Sequence, residues 1–233
     1  MKTNIIRLQN DIDSNKYANW CWQTSAVNTS IEFFNAVTPD EVDDLMSGLR
    51  IEWKYPWTGE VNDIKSGLTL RAYQTADPKK RMACFLSHYC LWEKTVKSGK
   101  PMLILEHDAM FISKKPIPFD DILDSGFEII GINEPFGATR LSQVFHENVQ
   151  KEHFCKNDVV RAPLIDDIKV PQGIAGNSAY IITPKGADTM IKLTKEHGAW
   201  PNDALMCRQL IFGLGVTKTY YTKIQRIKST TTL

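Results

Sequence analysis

Glu106 and Asp108 stand one residue apart where the apolar run Met102-Leu103-Ile104-Leu105 ends. Alternate residues of an extended chain point the same way, so the two carboxylates can converge while His107 faces away. Two hard oxygen donors at that spacing suit Mg²⁺ or Mn²⁺ shared with a diphosphate, whereas zinc would want more His or Cys. In open α/β sheets, ligands bind outside the carboxyl ends of the strands, where this pair would lie. The same residues also fit a solvated acidic turn, and spacing alone does not choose between the two.

Such a pair needs a buried strand beneath it, and Met102 to Leu105, bounded by Pro101, has the continuous apolar character of one covered on both faces. Before it, Lys80 to Lys97 reads as a helix with Phe85, Tyr89, Trp92 and Val96 in one stripe and Gly99 as its stop. Further strands are expected at Asn4 to Leu8, at the edge of a core, and at Val27 to Val37, Phe127 to Asn133, Ser178 to Thr183 and Val216 to Thr222. Helices are expected from Asn15 to Thr24, from Thr38-Pro39-Asp40-Glu41 onward, from Pro184 to a stop at Gly198, and from Asp203 to Phe212 with Asn202 as cap. Glu52 to Asp77, rich in aromatics and turns, reads as a long irregular segment with short elements. Alternation of this kind implies an α/β fold, a mainly parallel central sheet flanked by helices.

Composition bounds the rest. The 233 residues fit one large domain, or at most two small ones, and 42% hydrophobic with 24% charged residues excludes disorder. Lys and Arg exceed Asp and Glu by 28 to 27, a net +1 that argues against binding nucleic acid through bulk charge. Local basic stretches at Lys79-Lys80-Arg81, Lys114-Lys115 and Lys223/Arg226/Lys228 keep a DNA partner in view. Five scattered cysteines without a C-x-x-C pair give no disulfide framework, and Cys84 and Cys90 read as small buried hydrophobes. No run is long enough for a transmembrane segment, and the opening residues are too short and interrupted for a signal-peptide core, so a cytoplasmic protein is expected.

Two further motifs flank the acids: Cys84-Phe85-Leu86-Ser87-His88 upstream, and Ala179-Tyr180-Ile181-Ile182 leading into Lys185-Gly186-Ala187 downstream. With Ile104-Leu105-Glu106-His107-Asp108 between them, these resemble glycosyltransferase family 25, the lipopolysaccharide-biosynthesis and collagen galactosyltransferase family. Ile5-Ile6-Arg7-Leu8 and Phe34-Asn35-Ala36-Val37 look like its first and second strands. Two departures stand out. His107 replaces the middle Asp of the family's acidic triplet, and Arg7 stands where an Asn is more usual, with Lys16 the nearest other cation.

The resemblance implies a GT-A-like fold and transfer of a sugar, with inversion, from a nucleotide-sugar donor, most simply a UDP-sugar. It implies Glu106 and Asp108 as ligands of Mn²⁺ or Mg²⁺. Asp203, after Trp200-Pro201-Asn202, is the first candidate for the catalytic base, with Trp200 offered as a ring for a sugar face; Glu134 is the second. Both acids also read as ordinary residues, a first-turn helix acid and a solvated loop acid. Toward the donor stand Arg7, Arg81 at a helix start, Ser87, His88, and Asn177 with Ser178, beside which Gly173 and Gly176 permit close approach. His88 either bonds the nucleotide or orients a carboxylate near the metal. Trp53, Tyr55 and Trp57 are either a stacking platform or the anchor of their loop. The acceptor is a lipopolysaccharide or other glycan first, with a protein hydroxyl or a hydroxylated DNA base as alternatives. A non-catalytic sugar- or nucleotide-binding protein that keeps the fold is the competing class, and a nucleotidyltransferase or phosphohydrolase a third.

Overall fold

The computed structural model describes residues 1–25, 30–225 and 227. The first elements are β1 (Lys2–Arg7), α1 (Ile12–Gln23), β2 (Ile31–Asn35), α2 (Val42–Leu49), β3 (Glu60–Asp63), β4 (Leu68–Arg71) and α3 (Pro78–Ser98). β5 (Met102–Glu106), β6 (Ala109–Phe111), α4 (Phe119–Asp124), β7 (Ile129–Gly131), α5 (Ser142–Lys151) and β8 (Val159–Arg161) follow. The last are β9 (Ala179–Ile182), α6 (Pro184–His197), α7 (Asn202–Leu205), β10 (Leu214–Thr217) and β11 (Thr222–Ile224).

Among the described residues, a seven-stranded sheet runs in the order β2-β1-β5-β9-β7-β10-β8. β1 pairs in parallel with β2 and β5, and β10 in parallel with β7. β9 is antiparallel to both β5 and β7, and β8 is antiparallel to β10. The expected α/β architecture, mainly parallel and flanked by helices, is therefore present. Successive strand residues supply opposite faces. Ile104, Tyr180 and Ile182 join Phe85, Trp92 and Met190 on one side. Leu103, Leu105 and Ile181 join Ala18, Cys21 and Ile122 on the other.

Several elements differ from expectation. β1 is an interior strand, with Ile5 fully buried. Within the expected Val27–Val37 strand, β2 covers Ile31–Asn35, and 27–29 lie outside the described residues. α1 begins at Ile12 because the Asp11 carboxylate accepts from Ser14 N and caps it. α3 begins at Pro78 behind an Asp77 cap and ends at Gly99, whose φ of 63° suits a residue without a Cβ. Its apolar stripe holds through Trp92, but Val96 is 39% exposed where the helix outruns the core. The expected Asp203–Phe212 helix stops at Leu205, because the chain turns back to pair Cys207 with Gly173 and to donate Arg208 N to Gln172 O. Phe127–Asn133 contributes only a three-residue ladder, and Val216–Thr222 divides between β10 and β11, the latter forming a ribbon with β6. Glu52–Asp77 holds a short β3–β4 hairpin.

Candidate active site

Strand direction assembles the site. β1, β5 and β7 run the same way, so Arg7, Glu106 and Glu134 emerge at or just beyond one edge. β9 runs against them, so the residues that precede it, Asn177 and Ser178, reach that same edge. The contact is direct: Glu106 N donates to Ser178 O at 2.9 Å.

Beneath Glu106 lies a buried polar relay. The Glu106 Oε1 is 3.0 Å from His88 Nε2, and His88 Nδ1 is 2.8 Å from the Tyr180 hydroxyl. The Trp92 indole N–H donates to the same hydroxyl at 2.9 Å. Trp92 can only donate, so the phenolic oxygen accepts from it and donates its own O–H to Nδ1. Every member is then paired, with His88 Nε2 donating to Glu106. His88 and Tyr180 stack at 18° between rings, which locks the imidazole plane. Of the two roles open to His88, the geometry serves the orientation of a carboxylate, since neither ring nitrogen is left for a nucleotide.

The acidic pair is electrostatically uneasy. Burial, and after it the Glu106 charge, push the Asp108 carboxyl up to about 7, although the Ser178 hydroxyl bonds it and opposes the shift. Asp108 Oδ1 is buried without a hydrogen-bond partner. Burial would raise Glu106 too, but the His88 hydrogen bond prevails and holds it below the usual range. An unpartnered buried carboxylate oxygen beside a second, ionised carboxylate is a donor set that a hard divalent cation satisfies. Mn²⁺ or Mg²⁺ therefore fits these residues.

Asp203 and Arg81 face the pair from α7 and α3. Asp203 is exposed at its rim, yet crowding by protein, and then the Glu106 charge, raise its carboxyl above the ordinary range, while Arg81 pulls it down. Arg81 is held by Thr75 Oγ1 at 2.8 Å and Gln74 O at 3.2 Å, and its guanidinium lies over the Tyr73 ring. Cys84 joins this cleft, contrary to its reading as a core residue. Its Sγ, a His88 ring nitrogen and a Glu106 oxygen lie within 4.8 Å of one another. Burial, Glu106 and Asp203 keep the thiol protonated. Helical spacing carries the signal, because Cys84 and His88 sit four apart on one helix face. Asn202 also belongs here: its Oδ1 is 3.9 Å from Cys84 Sγ and its buried Nδ2 has no partner.

Other candidates are placed differently. Ser87 is buried, donating to Ala83 O at 2.8 Å and accepting from Val37 N at 2.9 Å, which ties α3 to the end of β2. Asn177 is buried with neither amide atom hydrogen-bonded. Arg7 lies over the Phe33 ring at 4.3 Å, its buried Nε unpartnered. Trp200 is fully buried and donates to His197 O, so it offers no face to a sugar. Trp53 and Trp57 stack on one another at 4.8 Å, with Trp53 edge-on to Phe85, so they anchor their loop. The close approach at Gly173 is to protein: a Cβ there would lie 2.4 Å from Met206 O.

The model of "Glycosyltransferase family 25 (LPS biosynthesis protein)" matches residues 1–206. The chain belongs to glycosyltransferase family 25. No curated protein matches it as a relative. Among solved structures it is similar to apo mouse xyloside xylosyltransferase 1, at 10% identity and TM-score 0.42, covering 89% of this chain and 80% of that one. It is also similar to an active-site mutant of LgtC, at 11% identity and TM-score 0.37, covering 93% of this chain and 72% of that one. Likeness at this level bears on no individual residue. In this family 25 glycosyltransferase each resembling motif has physical work to do. Cys84 and His88 face the acids while Ser87 fastens the helix. Tyr180 completes the relay. Gly186 lets α6 start against β7, since a Cβ there would lie 2.4 Å from Glu128 O.

Proposed function

We propose that this glycosyltransferase is metal-dependent and inverting, a single catalytic domain over 1–233 that moves a sugar from a UDP-sugar or similar donor to an acceptor hydroxyl. Glu106 and Asp108 would hold the Mn²⁺ or Mg²⁺, whose chemistry is Lewis-acid stabilisation of a departing diphosphate. The observation that carries the reading is the unpartnered Asp108 Oδ1 in a carboxyl raised to about 7 beside ionised Glu106. Arg81, in the first turn of α3, meets the anionic donor. Asp203, its carboxyl raised by burial above the ordinary range, takes the acceptor's proton as the acceptor oxygen bonds the anomeric carbon and the bond to diphosphate breaks. The relay through His88 and Tyr180 keeps Glu106 ionised and oriented.

The family's description favours a lipopolysaccharide or related glycan as acceptor. A DNA acceptor has no support beyond scattered lysines, and Arg226 and Lys228 lie outside the described residues. Among the described residues no helix is long and apolar enough to cross a membrane. Cytoplasmic location is proposed because nucleotide sugars are supplied there.

The test is release of free UDP from a panel of UDP-sugars, with Mn²⁺ or with EDTA, together with Mn²⁺ titration by calorimetry. Metal-dependent release that Asp108→Ala abolishes, with loss of Mn²⁺ binding, is expected. Donor binding that ignores both metal and Asp108→Ala would show the metal-site reading to be wrong, and donor binding with no UDP released would mark a non-catalytic binding protein.

A further inference from the structure

Glu106 and Asp108 alone suit zinc poorly, because zinc favours nitrogen and sulfur, yet α3 brings one donor of each kind to Glu106. Cys84 and His88 lie four apart on α3 and so share a helix face. The Cys84 Sγ, a His88 ring nitrogen and a Glu106 carboxylate oxygen all lie within 4.8 Å of one another. The nitrogen that faces Glu106 is Nε2, 3.0 Å from Oε1. Around a tetrahedral zinc with bonds of about 2.0–2.3 Å, such donors stand about 3.3–3.6 Å apart. A small turn of the short Cys84 side chain therefore completes three corners of that tetrahedron.

Groups behind the three donors suit the same ion. The Tyr180 hydroxyl sits 2.8 Å from Nδ1, where a metal-bound imidazole needs a partner. With zinc on Nε2, the ring proton resides on Nδ1 and donates to that oxygen, whose other lone pair still accepts from Trp92. The Tyr180 O–H then loses its acceptor, a loss that a zinc–thiolate bond outweighs and an oxygen-preferring ion does not. Beside the sulfur, Asn202 is 6% exposed and its Nδ2 has no hydrogen-bond partner. Its Oδ1 lies 3.9 Å from Sγ, so reversing the amide aims that N–H at the thiolate.

We infer that Cys84, His88 and Glu106 form a zinc site, with water as the fourth ligand, that competes with the proposed Mn²⁺ or Mg²⁺ site for Glu106. Zinc takes the place of the thiol proton, which leaves to solvent, and the thiolate and Glu106 together cancel the charge of the ion. A second dication would then face Asp108 alone and bring an uncompensated charge into a buried setting, so the two metals exclude one another. Zinc bound here inhibits by displacing the activating metal. That consequence rests on the proposed metal-dependent glycosyl transfer, whereas zinc binding itself does not.

The test uses the full chain in a non-thiol reductant, with Co²⁺ as the spectroscopic stand-in for zinc. The wild type should develop a thiolate-to-cobalt charge-transfer band that Zn²⁺ bleaches. Cys84→Ser should lose the band and at least about 100-fold in Zn²⁺ affinity, since removing a ligand exceeds the loss of a group behind one. Cys155→Ser, at an exposed thiol, should keep both. Thermal melts confirm folding, and His88→Gln, which removes the nitrogen donor, should repeat the loss of Zn²⁺ affinity. By calorimetry, Asp108→Ala should abolish Mn²⁺ binding and retain zinc, and Zn²⁺ should weaken Mn²⁺ binding competitively in the wild type. A wild type without the band, a band that survives Cys84→Ser, or Zn²⁺ and Mn²⁺ bound together would overturn the inference. Failure of the glycosyltransferase reading would look different: no Mn²⁺ binding and no UDP released from any donor, with the Cys84-dependent band intact.

Discussion

The Tyr180 hydroxyl determines which nitrogen of His88 carries the proton. It accepts the Trp92 N–H at 2.9 Å and donates its own O–H to His88 Nδ1 at 2.8 Å, leaving Nε2–H for Glu106. Tyr180→Phe strips that control and leaves Trp92 Nε1 and His88 Nδ1 buried without a partner. Stability should fall by about 1–3 kcal/mol in urea unfolding. Mn²⁺ affinity should fall about 10–100-fold, as for other groups that orient a metal ligand from behind. A purely structural Tyr180 would lower stability alone.

Asp203→Asn should lower turnover by about 10²–10⁴ while donor binding by calorimetry stays nearly unchanged, the signature of a lost general base. Glu134→Gln should spare kcat. The reverse pattern would assign the base to Glu134.

The pH dependence of stability follows from Asp108. Its folded carboxyl titrates near about 7, above its unfolded value of about 3.9, so the native state binds the extra proton. This contribution is complete below the unfolded value and is lost as pH rises toward 7. In EDTA, the melting temperature should decline from pH 4 to 7, and Asp108→Asn should flatten that decline. Glu106 acts in the opposite sense, its contribution failing only as pH drops through its lowered value. Mn²⁺ at neutral pH should restore the lost stability in the wild type but not in the variant.

Gly186→Ala should destabilise by about 1–3 kcal/mol, because the new methyl would press on Glu128 O and on Ile129 Cγ1, 2.8 Å away. Activity per folded molecule should persist, and a melt beside an activity assay separates the two.

Periodicity made much of this fold legible. Phe85, Tyr89 and Trp92 declared α3, and the run from Met102 to Leu105 declared a strand covered on both faces. Tertiary pairing concealed the rest. Cys207 and Arg208 pair with Gly173 and Gln172, which overrides the helix that local sequence favours after Asp203. The acids were readable because their chemistry is written in adjacent residues. The relay was not, since Trp92 and Tyr180 meet across 88 positions.

The reversed strand β9 has a consequence for how the protein reaches its working state. It must insert between β5 and β7, segments made well before it, and only then does Ser178 arrive at Glu106 and Asp108. Pairings so distant along the chain form slowly and late. In refolding from urea, helical signal should return first and catalytic activity only with the last and slowest phase.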